Sequence, residues 1–250
     1  MNDLPAWLEG LQGKTVLVTG AGRGIGRACA LAFSQAGATV IGVARTKSDL
    51  DSLSTESGGG IECWEVDVSS EAFYRRLEAI KQLDVLLNNV GINRPMPIED
   101  VDIDTLDAML ALNVRAVYRT SQSATRVMLR GARGGSIIHM SSQMGHVGAT
   151  NRTAYCMTKH AVEGLTKAMA VELAPAGIRV NSVAPTFIET ALTKPMFADA
   201  SFRQSVLGSI PLGRIGRPED VVGAVLFLAS NASAMITGDS LKVDGGWTAR

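Results

Sequence analysis

The sequence has no excess of charge, few cysteines and few aromatic residues, and each shortage excludes a class of protein. Lysine plus arginine and aspartate plus glutamate number 24 each, so the formal net charge is zero. A balanced chain gives no sign of a nucleic-acid or anionic-membrane partner. The three cysteines, Cys29, Cys63 and Cys156, are widely spaced and odd in number, which fits neither a disulfide framework nor a zinc site. They are expected to be free thiols in a reducing cytoplasm.

Long hydrophobic runs are also missing. No apolar stretch reaches the length of a membrane span, and the first ten residues lack the basic start and long apolar stretch of a signal peptide. The 250 residues are enough for one sizeable core. Because no linker or shift in composition divides the chain, we predict a single domain over residues 1–250, with residues 1–12 as a short leader.

The sequence contains no motif for a metal site or for a serine hydrolase. His139, His146 and His160 fall in a predicted strand, loop and helix, with no paired acid at ligand spacing, so no metal site is predicted. The Gly-x-Ser-x-Gly motif of a serine-nucleophile hydrolase is missing.

Short apolar segments alternate with helical segments along the chain. The predicted strands are 14–19, 39–44, 61–66, 84–88, 135–140, 178–183 and 240–244, and the predicted helices are 25–35, 48–56, 70–81, 105–130, 153–174 and 218–230. In the helix over 153–174, Ala161, Leu165, Met169 and Leu173 form one i+4 row. This alternation is typical of βαβ units, so the predicted fold class is α/β, a doubly wound parallel sheet of Rossmann type with helices on both faces. Residues 186–212 follow no strong period and are predicted to be a mobile loop with short helices that shapes the substrate pocket.

A glycine-rich turn follows the first predicted strand and opens the first predicted helix. Gly20, Gly24 and Gly26 stand in G-x-x-x-G-x-G spacing, which differs from the G-x-G-x-x-G fingerprint. Glycines let the backbone approach a pyrophosphate, and a helix N-terminus offers free N–H groups and a partial positive charge. The turn therefore predicts a dinucleotide site, the alternative being a turn that merely favours glycine. It is not a P-loop, because no Gly-Lys-Ser/Thr follows.

The end of the second strand indicates which dinucleotide binds. An NAD site places a carboxylate there for the ribose 2′-hydroxyl, whereas this chain reads Val43-Ala44-Arg45-Thr46. Arg45, together with Arg23 in the glycine turn, could pair with a 2′-phosphate. NADP(H) is therefore favoured and NAD(H) is not excluded, since both arginines could instead be solvated surface side chains.

A tyrosine and a lysine are the candidates for proton chemistry. Tyr155 and Lys159 are four residues apart, which places them one turn apart on one helix face. A neighbouring ammonium favours the phenolate of a tyrosine, whose free pKa is about 10, and a positioned phenol can give or take a proton. Ser142 supplies a hydroxyl 13 residues before the tyrosine. Taken alone, the Tyr-x-x-x-Lys spacing also arises by chance on solvated helix surfaces.

Several separated motifs together resemble the short-chain dehydrogenase/reductase family along nearly the whole chain. They are TGAGRGIG at 19–26, NNVG at 88–91, Asn113 in ALNVRAV, Ser142 in HMSSQ, and Tyr155 with Lys159. The stretches 141–159 and 180–190 look most like the carbonyl reductase and L-xylulose reductase branch, whose members favour NADPH. Sugar and polyol dehydrogenases and 3-oxoacyl-acyl-carrier-protein reductases are also similar.

The resemblance implies a role for each matching residue. Tyr155 would be the acid/base, and Ser142 would hold the carbonyl oxygen. Lys159 would bind the nicotinamide ribose and lower the pKa of Tyr155, and Asn113 would hold a water for proton relay. Gln143 is a candidate substrate contact. The residues implied to bind the cofactor are Gly20, Arg23, Gly24, Ile25, Gly26, Arg45, Thr46, Asp67, Val68, Asn89, Val90, Gly91, Tyr155, Lys159, Ile188 and Thr190.

Two positions depart from the family pattern. Val90 stands where the family usually has alanine, and Thr186 stands where it usually has glycine after Pro185. The second change removes a flexible residue near the nicotinamide, which puts the local loop geometry in doubt but not the chemistry.

These features predict an NADP(H)-dependent oxidoreductase that transfers a hydride to or from a small carbonyl or alcohol, as in a sugar, polyol or small ketone. A 3-oxoacyl-acyl-carrier-protein reductase is the alternative within the family. A catalytically silent nucleotide-binding protein and an isomerase or dehydratase on the same scaffold are alternatives of other classes. The family also implies a homotetramer built on the two long helices and the last strand, and Trp7 and Trp247 near the termini are candidate interface residues.

Overall fold

The computed structural model describes residues 9–191 and 193–249. Within these ranges, Glu9–Leu11 form a 3₁₀ turn, and Leu11 is buried in the core. Residues 1–8 of the predicted leader, including Trp7, lie outside the described residues. No helix in the described ranges is long and apolar enough to cross a membrane.

Seven strands in the described ranges form one sheet. They are β1 (Thr15–Thr19), β2 (Thr39–Ala44), β3 (Ile61–Glu65), β4 (Val85–Asn88), β5 (Gly135–Met140), β6 (Ile178–Pro185) and β7 (Ser240–Val243). The strand order is β3-β2-β1-β4-β5-β6-β7, and every neighbouring pair is parallel. The strand order reverses between β1 and β4, where a crevice for ligands opens beyond the carboxyl ends of the strands. The predicted fold class, an α/β doubly wound parallel sheet, is confirmed.

Helices cover both faces of the sheet. They are α1 (Gly24–Gln35), α2 (Lys47–Glu56), α3 (Glu71–Glu78), α4 (Ile103–Leu110), α5 (Val117–Gly131), α6 (Thr153–Leu173), α7 (Ala200–Ser209) and α8 (Pro218–Ala229). Successive strand residues point to opposite faces. Val16 and Val18 of β1 therefore belong to a core with α1 and α8, whereas Leu17 between them belongs to a core with α3 and α5.

The helix predicted over 105–130 contains an irregular turn. A π-helical segment, Ala111–Ala116, separates α4 from α5. The helix also begins two residues earlier than predicted, because the Asp102 side chain accepts a hydrogen bond of 2.6 Å from the backbone N–H of Thr105. Single π turns are rare and occur often at functional sites. This one contains Asn113, one of the predicted site residues.

The i+4 row named for α6 is only partly buried. Ala161 is exposed and Leu173 is buried, whereas the neighbouring row through Val162, Thr166 and Ala170 is buried throughout. Thr166 tolerates burial because its hydroxyl donates to the Val162 carbonyl at 2.8 Å and hydrogen-bonds His139 Nδ1 at 2.9 Å. Apolar periodicity could not reveal this face, since a threonine counts as polar until its partners are known.

The segment 186–212 contains the predicted short helices, a 3₁₀ turn at Lys194–Ala198 followed by α7. Phe187 at its start packs against Phe202 and Trp247, with ring centroids 5.6 and 5.9 Å away. The segment is thereby attached to the C-terminal turn. Its mobility stays a prediction.

Candidate active site

A cleft of about 660 Å³ lies along the carboxyl ends of the parallel strands. Its wall brings together residues that the sequence analysis singled out from separate segments: Gly20, Arg23, Gly24, Ile25, Arg45, Thr46, Asp67, Val68, Asn89, Val90, Gly91, Ser142, Gln143, Tyr155, Lys159, Ile188 and Thr190. Two further predicted residues, Gly26 and Asn113, lie behind this wall.

The glycine turn connects β1 to α1 in a conformation that side chains would obstruct. Gly20 and Gly24 have φ angles of +69° and +54°, in the left-handed region that favours glycine. A Cβ atom on Gly26 would lie 2.3 Å from the Gly20 carbonyl oxygen and 2.4 Å from Asn89 Nδ2. Helix α1 has no side-chain cap at its N-terminus and no acid in its first turn. The uncapped N–H groups and the positive end of the helix dipole are thus left for an anionic ligand.

Asn89 ties the ends of two strands together beside this turn. Its backbone N–H donates to Thr19 Oγ1 at 2.9 Å, and its Nδ2 donates to the Thr19 and Gly20 carbonyls at 3.0 and 3.3 Å. Because β1 and β4 are neighbours in the sheet, these bonds hold the glycine turn against the residue after β4. The predicted cofactor contact therefore also has a structural role.

Two arginines at the rim of the cleft already have acidic partners. Arg23 Nε lies 2.6 Å from Asp49 Oδ2, and Arg45 Nη1 lies 3.8 Å from Asp67 Oδ2. The hydrogen bond and charge of Asp49 raise the pKa of Arg23. Both side chains stay mostly exposed, at 65% and 72%, so both remain accessible to a ligand. Asp49 was not predicted as a site residue, since an acid in the first turn of a helix is ordinarily explained by the helix dipole.

Tyr155, Ser142 and Lys159 meet at the inner end of the cleft. Lys159 Nζ donates to the Met140 carbonyl at 2.8 Å and lies 5.6 Å from the centroid of the Tyr155 ring. Ser142 Oγ accepts a hydrogen bond of 3.1 Å from the N–H of Met144, and the Ser142 side chain acts to lower the pKa of Tyr155. The hydroxyl, phenol and ammonium predicted from their sequence spacing are therefore close together.

The pKa values of this group differ from the sequence-based expectation. Burial raises the pKa of Tyr155 to about 12, opposed by its hydrogen bond with Ser142. Burial lowers the pKa of Lys159 to about 8, opposed by the charge of Glu163. In the ligand-free chain burial therefore outweighs any lowering of the Tyr155 pKa by Lys159, whose ammonium donates to a backbone carbonyl and lies 5.6 Å from the ring centroid. The predicted role of Lys159 stays a prediction.

Asn113 is fully buried in the π-helical turn. Its Oδ1 accepts from the Ile92 N–H at 2.8 Å, while its Nδ2 donates to the Ile92 carbonyl at 2.8 Å and to Thr158 Oγ1 at 3.2 Å. The side chain thus fastens the loop after β4 to helix α6, which carries Tyr155 and Lys159. Its predicted role in holding a water stays a prediction.

Several residues of the cleft wall were missed by the sequence analysis. They include Gly22, Asp49, Ile92, Asn93, Met140, Ser141, Met144, Phe187, Thr193 and Met196. Asn93 Oδ1, Ser141 Oγ, Gln143 Oε1 and Thr186 Oγ1 are buried polar atoms in this wall without a hydrogen-bond partner among the described residues. Since buried polar atoms in folded proteins nearly always have partners, these four indicate where a ligand would bind. No local motif marks Asn93, because its place in the wall depends on how the loop after β4 folds.

The buried histidine near the site is structural. His139 Nδ1 and Nε2 are bonded to Thr166 and Ser121, and burial lowers its pKa to about 4. Among the described residues, no group of three histidine, cysteine or acidic side chains could hold a metal ion.

Known proteins share this architecture over almost their whole length. A family model described as enoyl-(acyl carrier protein) reductase matches residues 20–248. The L-xylulose reductase of Mus musculus is 42% identical over 241 residues, covering 96% of this chain and 98% of that protein. The 3-oxoacyl-acyl-carrier-protein reductase of Thermotoga maritima is 39% identical over 244 residues, covering 94% and 98%.

A solved structure agrees with these relatives. The gluconate 5-dehydrogenase of Burkholderia cenocepacia, in complex with NADP and tartrate, superposes with a TM-score of 0.91 at 32% identity, covering 97% of this chain and 99% of that one. With the parallel sheet, the glycine turn and the Ser142, Tyr155 and Lys159 constellation, these matches confirm the resemblance seen in the sequence. This chain belongs to the short-chain dehydrogenase/reductase family of oxidoreductases.

Proposed function

We propose that this chain is an NADP(H)-dependent oxidoreductase that transfers a hydride between the nicotinamide and a small carbonyl or secondary alcohol, with Tyr155 as acid/base. A sugar or polyol is the favoured substrate, and a small ketone is the next. The observation that carries the proposal is that Ser142, Tyr155 and Lys159 line the same cleft as the glycine turn.

The cleft fits NADP(H). A Cβ atom on Gly20 would lie 2.9 Å from Asn89 Nδ2, so only glycine leaves the turn open beside the uncapped end of α1. Arg23 and Arg45 would hold the 2′-phosphate, and the relative from Burkholderia cenocepacia has NADP bound. The adenine would meet Asp67 and Val68, and the nicotinamide would meet Ile188 and Thr190. When bound, NADPH supplies the hydride and NADP accepts it in the reverse direction.

Residues of the chain itself would donate and accept the proton of the reaction. Because its pKa is raised to about 12, Tyr155 stays protonated at neutral pH and can donate to a carbonyl oxygen during reduction. Ser142 would hold that oxygen by a hydrogen bond. Lys159 places a positive charge 5.6 Å from the ring, where it would stabilise the phenolate as it forms.

The unpartnered polar atoms favour a hydroxylated substrate. Gln143 is 1% exposed, and the acceptors Gln143 Oε1 and Asn93 Oδ1 have no hydrogen-bond partner in the part of the chain that the structure describes. Substrate hydroxyl groups would supply the missing donors, whereas an acyl chain would leave both acceptors unpaired at a cost of about 1–3 kcal/mol each. The L-xylulose reductase relative, named for a sugar, agrees with this class.

A 3-oxoacyl-acyl-carrier-protein reductase is the second candidate, because the relative from Thermotoga maritima bears that name. NADPH oxidation at 340 nm with ketoses, diketones, ketoaldonates and 3-oxoacyl thioesters distinguishes the two. Turnover of a ketose or ketoaldonate with little turnover of the thioester supports the sugar or polyol assignment. The reverse preference would identify the chain as a 3-oxoacyl-acyl-carrier-protein reductase. NADPH binding without oxidation by any of the carbonyl compounds would indicate a catalytically silent nucleotide-binding protein.

We also propose that residues 1–250 form one domain that assembles as a cytoplasmic homotetramer. Exposed apolar residues on the outer faces of the long helices support an assembly, notably Tyr118 and Leu129 on α5 and Met157 and Val171 on α6. Large apolar residues that cluster on a surface often mark protein contacts. Light scattering measures the assembled mass, and a monomer would contradict this part of the proposal.

A further inference from the structure

Helix α6 carries ionisable side chains along one stripe from its N-cap inwards. Arg152, Tyr155, Lys159 and Glu163 follow one another at spacings of three and four residues, which places neighbours one turn apart on one face. Lys159 and Glu163 are 5% and 6% exposed, so both are buried. The mechanism above uses Tyr155 and Lys159 but gives Glu163 no task.

Glu163 is fixed in place by contacts from three other segments. Ser182 Oγ on β6 donates to both carboxylate oxygens, at 3.1 and 3.0 Å, and Ser240 Oγ on β7 donates to Oε1 at 3.1 Å. His146 Nε2 lies 3.3 Å from the same oxygen. Hydrogen bonds to a carboxylate favour its charged form. The contacts therefore hold a negative charge at a fixed point one turn beyond Lys159.

Lys159 has no carboxylate of its own. Its Nζ donates to the neutral Met140 carbonyl, and no acid within the described ranges approaches it to 4 Å. A buried ammonium without a counter-charge tends to lose its proton. The other ionisable groups around it give no negative charge: Tyr155 on the same helix is protonated at neutral pH, and His139 on β5 is uncharged.

We propose that Glu163 is a positioning residue that keeps Lys159 charged in the working enzyme, by means of a fixed negative charge one helical turn away. Ser182, Ser240 and His146 hold the carboxylate at that point. The residue acts through Lys159 and touches neither substrate nor cofactor. The activity readout below depends on the proposed function, whereas the stability readout does not.

A double-mutant cycle on the ligand-free protein tests the charge coupling without any activity. At pH 7, E163Q is expected to lower the urea midpoint of the wild-type chain but to lower it much less in a K159M background, where the ammonium is absent. The difference should disappear as the pH rises well above 8, because the folded chain then holds Lys159 neutral and Glu163 has no charge to stabilise. Equal losses in both backgrounds would show that Glu163 is only a structural hydrogen-bond acceptor and would overturn the proposal.

The pH profile of carbonyl reduction in the holoenzyme is the second readout. Removing the negative charge makes Lys159 lose its proton more easily, so the alkaline fall in kcat/KM should move to lower pH by about one unit in E163Q. E163D keeps the charge and should restore most of the wild-type profile. E172Q makes the same substitution on the exposed part of α6 and should leave the profile unchanged. His146 also faces Glu163, with its Nε2 3.3 Å from Oε1.

An E163Q profile that superposes on that of the wild type would overturn the proposal even if the enzyme reduces ketones well. If no carbonyl is reduced at all, the proposed function fails, and the cycle at pH 7 still decides the role of Glu163.

Discussion

The two sides of the cleft differ in how their polar groups are satisfied. On the cofactor side, formed by residues 20–25, 45–46, 67–68 and 89–91, Asn89 is bonded to Thr19, and Arg23 and Arg45 face Asp49 and Asp67. On the proposed substrate side, which includes Asn93, Gln143 and Phe187, buried polar atoms of Asn93 and Gln143 have no hydrogen-bond partner among the described residues.

This difference reflects what each side has to recognise. The cofactor side presents mainly backbone and glycine, which suit a pyrophosphate whatever the substrate is. The substrate side leaves acceptors such as Gln143 Oε1 unpaired in the protein, so that a ligand lacking hydroxyl donors is disfavoured. Selectivity for the substrate is therefore expected to depend on Asn93 and Gln143 rather than on the glycine turn.

Removing the Tyr155 hydroxyl should have the largest effect, because it should lower turnover without changing cofactor affinity. Y155F is expected to lower kcat for ketone reduction by about 10²- to 10⁴-fold, because the proton donor is lost. Cofactor affinity, measured by fluorescence titration with NADPH, should change little, since the glycine turn and the rim arginines are untouched. Full activity in Y155F would remove Tyr155 from the acid/base role.

Lys159 lies where the two sides meet, and because it is buried we expect the free energy of unfolding to depend on pH. Its folded-state pKa of about 8 lies below the unfolded value of 10.5. Between these values the unfolded chain binds more protons than the folded one, so stability is present above pH 10.5 and is lost as the pH falls towards 8. The lysine should account for about 3 kcal/mol of this loss in the ligand-free protein. Urea unfolding of the wild type and K159M across this range measures it, and parallel pH dependences would contradict the prediction.

A change on the cofactor side alone should alter the choice of dinucleotide. R45E places an acid at the end of β2, where it would repel a 2′-phosphate, and is expected to raise KM for NADPH by about 10- to 100-fold. NADH serves as the internal control, because it lacks that phosphate. An equal rise for both dinucleotides would indicate a general disturbance of the rim.

A change on the substrate side alone should have the smallest effect. W247A removes a ring 5.9 Å from Phe187 and should loosen the Phe187 side chain, which lines the cleft. With an aromatic pair contributing about 0.5–1.5 kcal/mol, KM for the ketone should rise by roughly two- to tenfold while KM for NADPH stays constant. A rise in KM for NADPH instead would mean that the two sides are mechanically coupled.

Features that depend on short spacings along the chain could be predicted from the sequence, whereas features that depend on distant residues could not. Gly20, Gly24 and Gly26, and likewise Tyr155 and Lys159, act through short spacings within one turn or one helix, so local patterns were sufficient. The seven-strand alternation and its fold class were predicted for the same reason. Glu163 instead depends on Ser182 and Ser240, which lie 19 and 77 residues away.

Other residues reach the cleft only through tertiary packing, and no local sequence pattern marks them. Asn93 is placed by the loop after β4, and Asp49 matters only because Arg23 folds against it. The pKa of Tyr155 could not be predicted, because the spacing to Lys159 was visible but the burial of the phenol and the direction of the ammonium were not.

The most direct test of hydride transfer is an isotope measurement. NADPH deuterated at the reactive position of its nicotinamide ring is incubated with a ketose such as L-xylulose, and the product is examined by mass spectrometry. The proposed function predicts one deuterium at the new carbinol carbon with the wild-type enzyme, and at least about 100-fold less of this product in the same time with Y155F. Conversion of the ketose without incorporation of deuterium would contradict it and would assign the chain to isomerase or dehydratase chemistry.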